Sequence, residues 1–318
     1  MEGVGLTLRV NLLEQCQLAC GYCRPGLLRR PTAAGERLTA DDYWRLGQAF
    51  AAAGVTKVRF TGGEPLLRPD LGPVLLAFGE ALPGARLAFT TNGQRLGAWL
   101  RTRERALVHA VTVHVDSLRP ERYRELMGDG TPTTALEAAR AAKGLGLVTK
   151  LNVVVQRGLN DDELPDFLRW SRETGIEVRF IELMNTGSAT EFTRRHFVSG
   201  ADIIARIAAQ EPVQPAGRRD PSDPAALYAL ADGTRFGLIA SDTQPFCRAC
   251  TRLRLSPSGQ LRTCLYQPEG LDLRAHLRRG VGLGELASAV RAAVRGKQSH
   301  HPREAAERVA FSMADIGG

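Results

Sequence analysis

The sequence predicts an α/β fold in which parallel strands form a sheet and helices pack outside it. Three observations lead there. Six apolar, β-branched-rich segments recur at about 6–12, 56–60, 86–91, 111–116, 149–155 and 177–181. Helical stretches lie between them, and such alternation implies a parallel sheet. The polar residues that interrupt the pattern fall where predicted strands end. These are the first cysteines, then Gly62-Gly63-Glu64-Pro65, Thr90-Thr91-Asn92-Gly93, Asp116-Ser117, and Glu182 with Met184. Parallel α/β folds build their sites on that edge. Six units fall short of a complete eight-fold barrel, and an open doubly wound sheet is the competing architecture.

Each element has local support. Thr39 is the expected N-cap of a helix over 41–53, with Tyr43, Leu46 and Phe50 at helical spacing and Gly54 as the stop. A second helix is expected after Asn160, with Asp161, Asp162 and Glu163 in its first turn. It turns Leu164, Phe167 and Leu168 inward and ends before Gly175. The pattern changes after about residue 210. Residues 214–225, rich in Pro, Asp and Arg, read as a loop, and 228–230 with 235–239 read as a hairpin around Asp232-Gly233. A helix over 283–294 precedes a basic loop and the ending Gly317-Gly318. Two regions are expected, 1–212 and 213–318.

Composition excludes several classes. The 318 residues are 43% hydrophobic and 24% charged, which is globular rather than disordered. No apolar run approaches the ~18 residues that span a bilayer. Met1 to Arg9 lacks the pattern of a secretory signal, so a cytoplasmic location is expected. The net charge of +8 suits nucleic acid or a polyphosphate substrate. With only 6% aromatics, a base-stacking platform is not expected.

The six cysteines form two trios, Cys16, Cys20, Cys23 and Cys247, Cys250, Cys264. Clustered cysteines without a signal peptide point to metal rather than disulfides. Structural zinc wants four ligands. Three thiolates suit a [4Fe–4S] cluster with one iron open, the alternative being zinc completed by His109 or His114. Between the second trio's members, Arg252 and Arg254 alternate on a strand and share one face. The plainer role for that pair is a solvated basic edge strand.

With Tyr22 inside the last spacer and Gly62-Gly63-Glu64-Pro65 after the next strand, the chain resembles the radical S-adenosylmethionine superfamily. The second trio and the terminal Gly317-Gly318 narrow this to a resemblance, end to end, to the GTP 3′,8-cyclase family of molybdenum cofactor biosynthesis. Arg9, Arg59, Thr90, Lys150-Leu-Asn152 and Arg179 to Met184 match it as well. The resemblance implies an incomplete (βα)6 triosephosphate-isomerase-type (TIM) barrel and a C-terminal α+β region carrying a second Fe–S cluster. It implies a radical lyase that converts GTP to 3′,8-cyclo-7,8-dihydro-GTP by removing the ribose 3′ hydrogen and closing that carbon onto guanine C8.

Residue roles follow from the same resemblance. Cys16, Cys20 and Cys23 would hold the first [4Fe–4S] cluster, and Cys247, Cys250 and Cys264 the second, at the guanine edge of GTP. Tyr22, Gly63, His114 and Met184 would meet S-adenosylmethionine, although His114 stands where the family usually has Ser. Arg9, Arg59, Thr90, Lys150, Arg252, Leu253 and Arg254 would bind GTP, with Lys57 and Arg179 as further candidates. Arg9, Arg252, Arg254, Gly317 and Gly318 would act in catalysis, the tail entering the site to orient an Arg. An external electron donor is implied, as is hand-over of product to the next enzyme, cyclic pyranopterin monophosphate synthase. Homodimerisation is left open; no membrane or nucleic-acid partner is expected. Other departures from the family are Arg24, Glu14-Gln15 and a short segment over 23–38. The competing readings are a peptide-modifying radical enzyme with an auxiliary cluster and a zinc-stabilised nucleic-acid-binding protein.

Overall fold

The structure, a computed structural model, describes residues 5–23, 32–184, 190–267 and 269–297. Arg24, most of the segment between Cys23 and Leu38, and Gly317-Gly318 lie outside the described residues.

Six strands appear where the apolar segments predict them: β1 (Leu6–Asn11), β2 (Val55–Thr61), β3 (Arg86–Thr91), β4 (Ala110–His114), β5 (Val148–Val155) and β6 (Glu177–Glu182). They pair in chain order and all run parallel. Between them lie α1 (Ala40–Ala52), α2 (Leu71–Ala81), α3 (Leu96–Trp99), α4 (Pro120–Met127), α5 (Pro132–Gly144) and α6 (Leu164–Thr174). Because strand order never reverses, right-handed crossovers set every helix on the same face. A sheet covered on one face only curls as part of a barrel, which decides between the two architectures.

Period-two alternation sorts the residues. Leu8, Val58, Phe60, Val111, Val113, Leu151, Val153, Val178 and Phe180 are buried on the helix side. Arg9, Lys57, Arg59, Thr112, His114, Lys150, Asn152 and Arg179 alternate with them and line the inner face.

The rest of the chain extends this sheet. After α7 (Thr190–His196) and α8 (Gly200–Ala208) come β7 (Val213–Gly217), β8 (Ala226–Leu230) and β9 (Arg235–Ile239). Then follow β10 (Arg252–Leu255), β11 (Gln260–Arg262), β12 (Leu271–Asp272), α9 (Leu273–Arg278) and α10 (Leu283–Arg295). β9 joins β6 and β10 joins β1, both parallel, while the outer strands run antiparallel to them. Among the described residues the two ends of this sheet do not pair, so the barrel stays open.

Three local expectations need correction. α6 begins at Leu164, so Asp161, Asp162 and Glu163 precede it. Their carboxylates serve the turn instead: Gly158 N donates to Asp161 at 2.9 Å, and Leu118 N donates to Glu163 at 2.8 Å. Residues 214–217, the start of the expected loop, fall within β7, which pairs with β8. Arg252 and Arg254 are on no edge strand, because β10 lies between β1 and β11. The Thr39 cap is as expected, with Asp42 N donating to Thr39 Oγ1 at 3.2 Å and Thr39 N to Asp42 Oδ2 at 3.0 Å. Such a cap contributes about 1 kcal/mol.

Candidate active site

One cavity of about 650 Å³ occupies the inner face and touches both cysteine trios. The trios reach it from opposite mouths. Cys16, Cys20 and Cys23 follow β1, at the strand-end mouth. Cys247 and Cys250 precede β10, which runs parallel to β1 with Thr7 opposite Arg252, so they sit at the strand-start mouth. Cys264 follows β11, antiparallel to β10, and returns to the same mouth.

The first trio rides on a segment pinned from three sides. Gly63 N donates to Leu13 O at 2.7 Å and Glu64 N to Gln15 O at 2.8 Å. A Cβ on Gly63 would lie 2.1 Å from Gln15 O, and one on Gly62 would lie 2.6 Å from Leu13 O. These glycines therefore permit backbone to meet backbone, although Gly63 also borders the cavity. Asn92 Nδ2 donates to Cys16 Sγ at 3.5 Å. Glu64 is fully buried and accepts from Thr91 Oγ1 at 2.7 Å and Asn92 N at 2.8 Å. Burial pushes its carboxyl up to about 7 despite these bonds. From the third side, Ala19 N donates to Met127 O at 2.8 Å, at the end of α4. Burial, then Asp116, Cys23 and Cys16, raises the Cys20 thiol.

Tyr22, His114 and Asp116 form a compact polar group beside this trio. Tyr22 OH donates to Asp116 Oδ2 at 2.8 Å, and His114 Nε2 lies 2.5 Å from Tyr22 OH and 3.0 Å from Asp116 Oδ2. Asp116 is wholly buried and also accepts from Val154 N at 2.8 Å. Nε2 of His114 is thus committed to its neighbours. His109 lies at the opposite end of β4, where its Nδ1 accepts from Leu87 N at 3.3 Å. Neither is placed as a fourth zinc ligand to the first trio. Among the described residues, no three Cys, His, Asp or Glu gather tightly enough to hold a single metal ion. Three soft sulfur donors facing a cavity fit an iron–sulfur cluster with one iron left for a ligand.

Between the trios runs a field of cations, Arg254 and Arg179 buried and Arg9, Arg59, Arg252 and Lys150 half-buried. Arg254, Arg9 and Arg59 are aligned across three neighbouring strands by register, and Arg252, Thr7 and Lys57 form the next row. Arg59 donates to Thr112 Oγ1 at 3.0 Å and to Thr90 Oγ1 at 3.3 Å, which fixes its direction. Burial, with repulsion from Arg254, Arg252 and Arg59, holds Arg9 well below the ordinary arginine value. Burial and neighbouring arginines lower Arg59 and Arg254 to about 10. Burial and Arg179 lower Lys150 to about 8. Crowded, partly desolvated cations of this kind suit an anionic ligand, and arginine forks suit phosphate oxygens.

Around the second trio, Arg252 stacks over Phe246 at 4.6 Å, and Lys297 Nζ donates to Arg252 O at 3.0 Å and also to Thr263 O. Burial alone would raise Cys250, but Lys297, Arg252 and Arg254 outweigh it and lower the thiol below its ordinary value.

Every candidate side chain among the described residues borders this cavity except Leu253. Leu253 is fully buried, opposite Leu8 on the helix side of the sheet, so only its backbone could face a ligand. Arg179 borders the cavity but is engaged, as described below. Sequence reasoning missed Thr112, Asp223 and Lys297; Thr112 lies two residues before His114 on β4, and the other two reach the cavity only through folding.

A partial barrel with a three-cysteine loop after its first strand defines the fold class of radical S-adenosylmethionine enzymes, and family comparison agrees. Residues 10–171 match the Radical SAM superfamily and residues 176–303 match Molybdenum Cofactor Synthesis C. The chain is 39% identical over 295 residues to GTP 3′,8-cyclase of Acidothermus cellulolyticus, covering 90% of this chain and 81% of the relative. It is 38% identical to that of Streptomyces coelicolor over 93% of this chain and 88% of the relative. The Moorella thermoacetica enzyme is 35% identical over 98% and 97%. The chain belongs to the GTP 3′,8-cyclase family. Among solved structures, Streptococcus suis SuiB bound to S-adenosylmethionine has a TM-score of 0.59 at 17% identity, over 82% of this chain and 60% of that one, which shows shared fold. Membership brings a [4Fe–4S] cluster and S-adenosylmethionine as cofactors. No helix among the described residues is long and apolar enough to cross a membrane.

Proposed function

We propose that this chain is a radical S-adenosylmethionine lyase that converts GTP to 3′,8-cyclo-7,8-dihydro-GTP in molybdenum cofactor biosynthesis. The observation that carries the reading is one cavity with a thiol trio at each mouth and a row of buried and half-buried arginines between them.

Cys16, Cys20 and Cys23 would hold the first cluster, and Cys247, Cys250 and Cys264 a second. The first cluster with bound S-adenosylmethionine supplies a carbon-centred radical, given an external reductant. The remaining work belongs to the chain. Gly63 lets the motif loop close on the cysteine segment, Asp116 orients Tyr22 and His114, and Met184 borders the same mouth. Arg9, Arg59, Arg252 and Arg254, with Lys150, would receive the triphosphate, whose charge of nearly four relieves their mutual repulsion. Thr90 and Thr112 hold Arg59 towards it. Binding from both ends would fix the nucleoside between the trios and keep water away from reactive carbon.

Gly317 and Gly318 would thread into the cationic field, their carboxylate pairing with an Arg there. The 1–212 and 213–318 regions would act as radical-generating and substrate-holding halves, although β9 and β10 from the second complete the first's sheet. A cytoplasmic location suits the GTP supply and reduced thiols. Product hand-over to cyclic pyranopterin monophosphate synthase fits a reactive product, and a homodimer fits as readily as a monomer.

Anaerobically reconstituted protein given GTP, S-adenosylmethionine and dithionite should yield 5′-deoxyadenosine and the cyclised nucleotide together. 5′-Deoxyadenosine without any cyclised nucleotide would overturn the substrate assignment.

A further inference from the structure

Among the described residues, carboxylates as well as cations border the cavity, and Asp223 is one of them. Asp223, in the 218–225 segment between β7 and β8, meets Arg179 as a two-pronged pair, with both N–O distances 3.1 Å. The pair is largely buried, at 9% and 16% side-chain exposure. Arg179 Nε is held by Glu177 at 2.8 Å, and Arg219 binds the other side of that glutamate. Asp223 also shapes its own segment: Ala225 N donates to its Oδ1 at 3.2 Å, and Arg218 donates to its carbonyl at 2.7 Å. Its charge reaches further, supporting the charged forms of Arg59, Lys150 and Arg252. Asp223 and Arg179 both border the cavity at the strand-start mouth, where Lys57 and Lys150 also face it.

A carboxylate that forks onto an arginine occupies the geometry a phosphate would take. We infer that Asp223 is a resident counter-ion within this cation field, seated on the Arg179 fork until an incoming triphosphate displaces it, so that substrate binding is an exchange of anions. This rests on the triphosphate reading above. Asp223 then sets a threshold: a ligand must offer more charge than one carboxylate to take the fork. It also links that exchange to the 218–225 segment, which loses one of its two ties to β6 when the fork changes partner, the Arg219–Glu177 pair remaining.

The test is equilibrium binding of GTP, and separately of inorganic triphosphate, to anaerobic holoenzyme with and without Asp223→Asn. Exchange predicts roughly tenfold tighter binding of both ligands by the variant, equivalent to ~1.4 kcal/mol. Equal or weaker binding by a folded variant would overturn it, because Asp223 would then be orienting Arg179 for the ligand. If the variant does not fold, amide hydrogen exchange of residues 218–225 in the parent decides. Saturating GTP should speed it, and slower or unchanged exchange overturns the inference. A parent that binds inorganic triphosphate but not GTP removes the substrate reading instead, while the inorganic ligand still decides the role of Asp223.

Discussion

Replacing Lys150 with Met should weaken GTP binding in a way that depends on pH. Met keeps the long stem in its half-buried place on β5 and removes only the charge. An ionic hydrogen bond to phosphate contributes about 1.5–3 kcal/mol, which is roughly a 10- to 150-fold loss in affinity. The pH dependence follows from Lys150 lying near 8 in the free protein, where burial and then Arg179 disfavour its charge. A triphosphate favours the charged form. Below about pH 8 the lysine is already charged and binding takes up no proton there; above it, binding must take one up, so affinity falls towards tenfold per pH unit. The parent should therefore approach the variant by about pH 9.5, where the arginines of the field stay charged. Equilibrium dialysis of GTP against anaerobic holoenzyme across this range reads both effects. Equal affinity of parent and variant at pH 7, or a constant gap at every pH, would refute the reasoning.

Other substitutions have equally direct readouts. Gly63→Ala forces a Cβ to within 2.1 Å of Gln15 O, so the first trio should lose its cluster while the second keeps it; bound iron should drop by about half. Asp116→Asn keeps an acceptor for Val154 N but removes the one for Tyr22 OH, and should cost ~1–3 kcal/mol in a urea melt and weaken S-adenosylmethionine binding in a titration. Deleting Gly317 and Gly318 should leave both clusters and 5′-deoxyadenosine formation in place while cyclised product, measured by chromatography, falls sharply.

Much of the barrel was legible in sequence because its strands are local, β-branched and alternating. The first trio was legible too, since its three thiols and Tyr22 lie within one short loop. What periodicity could not supply was pairing between distant segments. β10 lies beside β1 only because of a parallel contact across most of the chain, and that contact moves the second trio to the opposite mouth. Asp223 reads as one more polar residue in a Pro-Asp-Arg stretch, and only the turn after β7 brings it to Arg179. The acidic run at 161–163 was read as helix-dipole pairing, but tertiary partners claimed it: Arg119 and Arg122 take Asp162, and Ser117 takes Glu163. Leu253 shows the limit of carrying a motif over whole, because alternation turns its side chain away from the cavity between two arginines that face it.

The central claim is that a second iron–sulfur cluster stands at the substrate, across the cavity from the first. It is tested most directly by changing Cys16, Cys20 and Cys23 to Ala together, reconstituting anaerobically, and recording the electron paramagnetic resonance spectrum of the reduced protein with and without GTP. The account predicts about four bound irons and a signal whose shape changes when GTP is added. A protein without iron, or a cluster signal indifferent to saturating GTP, would contradict it.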